Sequence, residues 1–346
     1  MSPAARRVSI TDVARHAEVG LGTVSNVLNH PEKVAESTRT RVLRSIDELG
    51  YVRSESARQL RAGRSRTVGL VVLDMRNPFF TDLARGAQDA AASAGLQVVL
   101  CNTDERPDRE EGHLASLVEL SPLGILVVPS DTDVDRYELL RRQRVPFVFV
   151  DRAPGAPIAC SVGVDDQAGA YSAVAHLLSL GHRDIALVIG PTRLAQVHDR
   201  VAGAEAAVAD AGLPATTLTR VECAALTFES GRDAAQRLLG APHRPTAVFC
   251  ANDLMALGVL QVVTQHGIPV PAALSIVGYD DIEFAGAAAV PLTSVRQPSA
   301  RMGEVAITLL LEEVADTDGG REHEHHYVEF TPELVVRDSS GPAPWR

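Results

Sequence analysis

Residues 9–29 read SITDVARHAEVGLGTVSNVLN. Ser9 is a helix-capping residue and Asp12 stands where a capping box places its acid, with Val13, Ala14 and Ala17 sharing a face behind them. Glu18-Val19-Gly20 reads as a turn. Leu21 to Asn29 then forms a second short helix whose Val24, Val27 and Leu28 make one apolar stripe, and His30-Pro31 ends it. A third helix is expected from about Glu36 to Leu49, with Val42, Ile46 and Leu49 inward and Gly50 as its stop. Two short helices with a tight turn, braced by a third, make a helix-turn-helix unit. One feature of the second helix is unusual: Gly22, near its start, has no side chain with which to touch a partner.

Charge separates this segment from the rest. The 346-residue chain carries a net −11, yet residues 1–66 hold 12 Lys+Arg against 7 Asp+Glu, a net of +5, which leaves −16 for the remainder. A basic head on an acidic body suits phosphate contacts, as does the arginine-rich run RQLRAGRSR at 58–66; a purely structural helical cap would not need that charge. The length allows two or three domains. No apolar run approaches the roughly 18 residues of a membrane span, and MSPAARRVSI at the start lacks a signal peptide's apolar stretch, so a cytoplasmic protein without membrane contact is expected. Cys101, Cys160, Cys223 and Cys250 are far apart with no C-x-x-C pair, which predicts buried free thiols.

From Thr67 onward, short apolar runs alternate with helical patterns. The runs are VGLVVL (68–73), LQVVLC (96–101), GILVVP (124–129), PFVFV (146–150), IALVI (185–189), TAVFC (246–250) and LSIVG (274–278). This alternation predicts parallel sheets covered on both faces, in two units. Such sheets bind ligands beyond the carboxyl ends of their strands. There stand Asp74 to Phe80 (DMRNPFF), Asp151-Arg152, Asn252-Asp253, Tyr279-Asp280-Asp281 and, after a loop, Arg200. Carboxylates, amides, a guanidinium and two phenylalanines form a kit for sugars, with acceptors and donors for hydroxyls and flat faces for the C–H side of the ring. Any one of them alone serves as readily to cap a helix or fill a core.

Two other patterns have plainer readings. REHEHHYVEF (321–330) brings His323, His325 and His326 close in sequence, but it alternates and has no acid-rich partner motif, so it reads as a solvated edge and no metal is expected. Paired carboxylates could serve a glycoside hydrolase, but no G-x-S-x-G, Walker loop or H-E-x-x-H appears, so the chain is not expected to be an enzyme.

SITDVARHAEVGLGTVSNVLN, followed by VAESTRTRVLRSIDELGY (34–51), closely resembles the DNA-binding head of the lactose/galactose repressor family, and residues 67–340 look like the periplasmic sugar-binding fold which that family carries as its effector domain. The resemblance implies an N-terminal all-α helix-turn-helix domain (1–53), a hinge helix or linker (54–66) and an α/β periplasmic-binding-protein-like effector domain of two parallel-sheet lobes. The N-lobe would span about 67–163 and 297–326, the C-lobe about 164–296 and 327–340. It implies operator contacts by Leu21, Gly22 and Asn26 at base edges, with Thr23, Ser25 and Asn29 beside them. It also implies a hinge in which Leu60, preceded by Ala57, enters the minor groove. Leu21 and Gly22 depart from the polar or aromatic types usual there, and Arg53 replaces the usual proline. Within the wider superfamily, residue types matching ribose-binding proteins occur at Asn77, Phe79, Phe80, Asp151, Arg152, Arg200, Phe228, Asn252, Asp280 and Gln297. The implied protein is a homodimer on a pseudo-palindromic operator, without cofactor, answering to a ribose-like monosaccharide; a nucleoside or purine effector, or a sugar-binding protein without a DNA role, stay open. The chain's last residues, GPAPWR, hold no leucine heptad, so no tetramerising helix is expected.

Overall fold

Ser9 opens the first helix as its sequence requires. Its hydroxyl accepts from the Asp12 N–H at 3.3 Å, and the Asp12 carboxylate accepts from the Ser9 N–H at 2.9 Å. In this computed structural model, which describes residues 8–51, 65–152 and 158–344, the chain forms two compact units, Met1–Ser65 and Arg66–Arg346. The first holds α1 (Ile10–His16), α2 (Leu21–Asn29) and α3 (Glu36–Glu48) around buried Val13, Ala14, Ala17, Val24, Val27 and Val42. Leu28, Ile46 and Leu49 pack on that core half-buried. Gly50 follows α3 with φ of +61°, a left-handed conformation natural to glycine after a helix end. The expected hinge contacts Ala57 and Leu60 lie outside the described residues, as does Arg53.

The second unit has two six-stranded sheets. The first is built from β1 (Thr67–Val72), α4 (Pro78–Ser93), β2 (Gln97–Asn102), α5 (Pro107–Glu119), β3 (Gly124–Val127), α6 (Glu138–Arg142), β4 (Phe147–Val150) and β5 (Cys160–Val164). The second follows with α7 (Asp166–Ser179), β6 (Ile185–Ile189), α8 (Ala195–Asp210), β7 (Leu218–Glu222), α9 (Phe228–Gly240), β8 (Ala247–Cys250), α10 (Asp253–Gln265), β9 (Ser275–Asp280), α11 (Glu283–Ala287) and β10 (Thr293–Arg296). α12 (Ser299–Asp318) then returns to pack on α4, and β11 (Tyr327–Phe330) and β12 (Glu333–Val335) close the chain. The strand orders are β11-β5-β4-β3-β1-β2 and β12-β10-β9-β8-β6-β7, parallel throughout except where β12 runs against β10. The chain therefore passes between lobes three times, after β5, β10 and β11.

The structure departs from the sequence expectations at several places. β5, β7, β10 and β12 were not among the expected strands; CSVGV, LTRVE, TSVR and ELV are short, or are broken by glycine, serine and charge. The expected C-lobe segment beginning at 327 is corrected: Tyr327–Phe330 pair in parallel with Ser161–Val164, so β11 belongs to the first sheet and the third crossing falls at 331–332. The 321–330 stretch is not uniformly a solvated edge, because the His323 side chain is only 7% exposed and faces Cys160. Close helix packing supports the lobes. A Cβ at Gly86 on α4 would overlap the Ala300 carbonyl of α12, and one at Gly303 on α12 would overlap the Leu83 carbonyl of α4.

Candidate functional site: a reader helix and an interlobe cleft

α2 divides into two faces. Val24 and Val27 are buried against the head's core, while Leu21, Gly22, Asn26 and Asn29 are exposed and Thr23 and Ser25 half-buried. Leu21 is 51% exposed although it is a large apolar residue. A Cβ at Gly22 would meet nothing within 4 Å, so packing among the described residues does not demand glycine there. Asn29 is held to its own helix, its Nδ2 donating to the Ser25 carbonyl at 2.7 Å. The face thus combines an exposed leucine, a bare backbone and an exposed amide.

The second site lies between the lobes, beyond the carboxyl ends of the strands. It is a hollow lined by Leu73, Asp74, Asn77, Phe79, Phe80, Glu105, Asp151, Gln196, Arg200, Leu226, Asn252, Asp280 and Gln297. Asn77 caps α4, its Oδ1 accepting from the Phe79 N–H, which leaves its Nδ2 to donate across the cleft to Asp280 Oδ2 at 2.9 Å. Gln297 Nε2 donates to the other Asp280 oxygen at 2.8 Å. Asp280 itself sits at φ of +104°, a region that side-chain-bearing residues rarely adopt, and such strain concentrates at functional positions. Phe79 and Phe80 meet edge to face, their centroids 5.0 Å apart, and both line the hollow.

Arg200 anchors the second lobe's wall. Its guanidinium stacks 3.7 Å above the Tyr279 ring, its Nε donates to Asp166 at 2.8 Å, and an Asp280 oxygen lies 3.9 Å away. Burial works against the Arg200 charge, but Asp166 and, beyond it, Asp280 and Asp151 hold its pKa above the ordinary arginine value. The carboxyls respond oppositely. Burial pushes Asp280 up to about 6 even though Arg200 and the two amides favour its ionised form. Burial and neighbouring Asp166 push Asp151 well above the usual range. Three buried oxygens at the cleft, Asp151 Oδ1, Glu105 Oε2 and Gln297 Oε1, have no hydrogen-bond partner among the described residues. Leaving such an atom unpaired costs about 1–3 kcal/mol, so the cleft favours a ligand rich in donors.

Most of the residues expected from sequence converge here, but two do not. Arg152 turns away, donating to the Asp131 carbonyl and lining a neighbouring hollow with Asp165 and Tyr327. Phe228 begins α9 half-buried, and Leu226 takes the cleft wall instead. Among the strand-end acids, Asp253 is structural, accepting from the Ile282 N–H and the Ser294 hydroxyl, and Asp281 pairs with Arg296 and Arg337. Glu105 was missed, although it follows the end of β2 as the strand-end rule requires; its carboxylate accepts from the Leu226 N–H of the opposite lobe at 3.2 Å. Gln196, at the start of α8, was missed as well.

Comparison with known proteins places these sites in context. Residues 9–54 match the model for bacterial regulatory proteins of the lacI family, and residues 174–340 match a periplasmic binding protein-like domain. The chain is 35% identical to the HTH-type transcriptional repressor PurR of Photobacterium profundum, over 96% of this chain and 98% of that one. It is 30% identical, with a TM-score of 0.73, to a LacI family transcriptional regulator from Enterococcus faecium with bound ribose, covering 80% of this chain and 99% of the other. It is 27% identical, with a TM-score of 0.79, to the lac repressor dimer bound to operator and the anti-inducer ONPF, covering 97% and 100%.

Proposed function

Because the chain belongs to the lacI family of bacterial regulatory proteins, we propose that it is a repressor whose interlobe cleft takes a monosaccharide of ribose size and whose operator grip loosens when it does. Members of the family are DNA-binding transcriptional regulators and not enzymes. The observation that carries the effector reading is the cleft's unpartnered polar wall: the buried oxygens Asp151 Oδ1, Glu105 Oε2 and Gln297 Oε1 line it without a hydrogen-bond partner among the described residues. Ring hydroxyls are donors to such oxygens, and a Phe79 or Phe80 ring suits a sugar's C–H face. The ribose-bound relative supports the same chemistry.

On the DNA side, Leu21 packs on a thymine methyl, Asn26 bonds an adenine edge, and Gly22 lets the backbone approach, with Thr23, Ser25 and Asn29 adding nearby contacts. Ala57 and Leu60 act in the hinge, where an inserted leucine bends the duplex, and two copies of the chain read a pseudo-palindromic site. Coupling between cleft and DNA need reach only about 1–3 kcal/mol to shift affinity five- to 150-fold. Calorimetric titration with ribose, other pentoses, hexoses, nucleosides and purines tests the effector reading. Selective heat from ribose supports it; silence with every sugar and heat from a purine would sink it.

A further inference from the structure

Away from the cleft, at the amino end of β5, three soft ligand atoms from distant parts of the sequence meet. Cys160 is buried, with its Sγ 3.2 Å from His323 Nε2 and 3.9 Å from His325 Nδ1, and all three atoms lie within 4.8 Å of one another. A tetrahedral ion with zinc-type bonds of about 2.3 Å to sulfur and about 2.0–2.1 Å to nitrogen sets sulfur and nitrogen about 3.6 Å apart, midway between these two separations.

The surroundings have the features of a ligand shell. His323 Nδ1 faces Asp316 Oδ2 at 2.8 Å, and a proton held there leaves the Nε2 lone pair directed at the sulfur. This is the carboxylate–histidine arrangement that fixes the tautomer of a metal-binding imidazole. Asp316 is in turn gripped by Arg321, and the His326 N–H donates to the Cys160 sulfur at 3.3 Å. Glu313, on the last turns of α12, has a buried carboxylate oxygen with no partner among the described residues, and it interacts electrostatically with both His323 and Cys160.

We propose that Cys160, His323 and His325 bind one divalent ion of zinc type, with Asp316 orienting His323 and a water molecule filling the fourth position. Binding replaces the Cys160 S–H bond by a sulfur–metal bond and releases that proton to solvent, with no change of oxidation state. The ion would fasten the connection between α12 and β11 to β5 within the first lobe, separately from the effector cleft.

The test uses the full chain, stripped with a chelator and titrated with Co2+. The expected result is one Co2+ per chain with the thiolate-to-cobalt charge-transfer band and visible bands of tetrahedral coordination, both displaced by Zn2+. Cys160→Ser abolishes the charge-transfer band while Cys223→Ser keeps it. Asp316→Asn, which leaves every ligand in place, lowers Co2+ affinity by about 10–100-fold, and His325→Ala lowers it further. A wild-type chain that shows no band, a band that survives Cys160→Ser, or affinities unchanged in both Asp316→Asn and His325→Ala would overturn the proposal.

Discussion

The reader helix and the interlobe cleft are built on opposite plans. α2 presents an exposed leucine, a glycine and an exposed asparagine, with little holding them beyond the helix itself. In the cleft, Asp280 is held by Asn77 and Gln297, and Arg200 by Asp166 and the Tyr279 ring, all of them buried. On the proposed reading the cleft selects by preorganised electrostatics in a low dielectric, where each misplaced donor is costly. On the same proposed reading the helix, with few groups to place, selects through close backbone approach, one amide, one methyl contact and the deformability of the duplex.

Predictions that sharpen or break this contrast run from the cleft outward. Asp280→Asn replaces one of the two oxygens that accept from Asn77 and Gln297 with an NH2 donor and is expected to weaken effector binding by about 2–5 kcal/mol while leaving ligand-free DNA affinity intact; calorimetry paired with DNA titration checks it, and wild-type effector affinity would break the contrast. Asn26→Ala should cost about 1–3 kcal/mol of operator affinity and leave effector binding unchanged, as read by fluorescence anisotropy on a selected operator.

The effector's affinity should also depend on pH. A hydroxyl-donating ligand favours ionised Asp280, whose carboxyl burial raises to about 6 in the ligand-free protein. Affinity therefore rises roughly tenfold from pH 5 to pH 7 and levels off above, with a proton released on binding near pH 6; affinity that is flat or falls over that range would show that Asp280 does not accept from the ligand. Stability follows the same group. Its raised folded-state pKa favours the fold below the ordinary carboxylate range, and that contribution is lost as pH rises through about 6. The smallest effect is in the head, where Ser9→Ala breaks the capping box and should cost about 1 kcal/mol of that unit's stability, seen in chemical denaturation.

The two regions also differ in how far they can be read from sequence. The head's capping residue, turn and apolar stripe are contiguous, so their local spacing specifies the three helices and their core, and the end of α3 differs by a single residue from expectation. The cleft is assembled from strand ends far apart in the chain; the strand-end rule locates Asn77, Asp151, Asn252 and Asp280, whereas Gln297 is reached only through the resemblance to ribose-binding proteins. That rule locates a residue but not the direction of its side chain. Arg152 follows β4 and still turns to Asp131, and Asp253 follows β8 and is consumed by Ser294 and Ile282. Glu105 escaped because β2, with its alternating exposure, received no ligand residue in the sequence reading, although the chain folds back there toward Leu226. The meeting of His323 with Cys160 could not be read, because nothing local to REHEHHYVEF announces that β11 pairs with β5 and carries it there.

The most direct test of the account is an operator-release titration. DNA selected from a random pool by the protein is labelled and bound, and ribose is added while fluorescence anisotropy is followed for the wild type and Asp280→Asn. Release by ribose from the wild type, absent from Asp280→Asn although both grip the DNA equally without ligand, is the predicted result. Operator that stays bound at saturating ribose, or that leaves both proteins alike, would contradict the claim that the cleft built around Asp280 governs the grip on DNA.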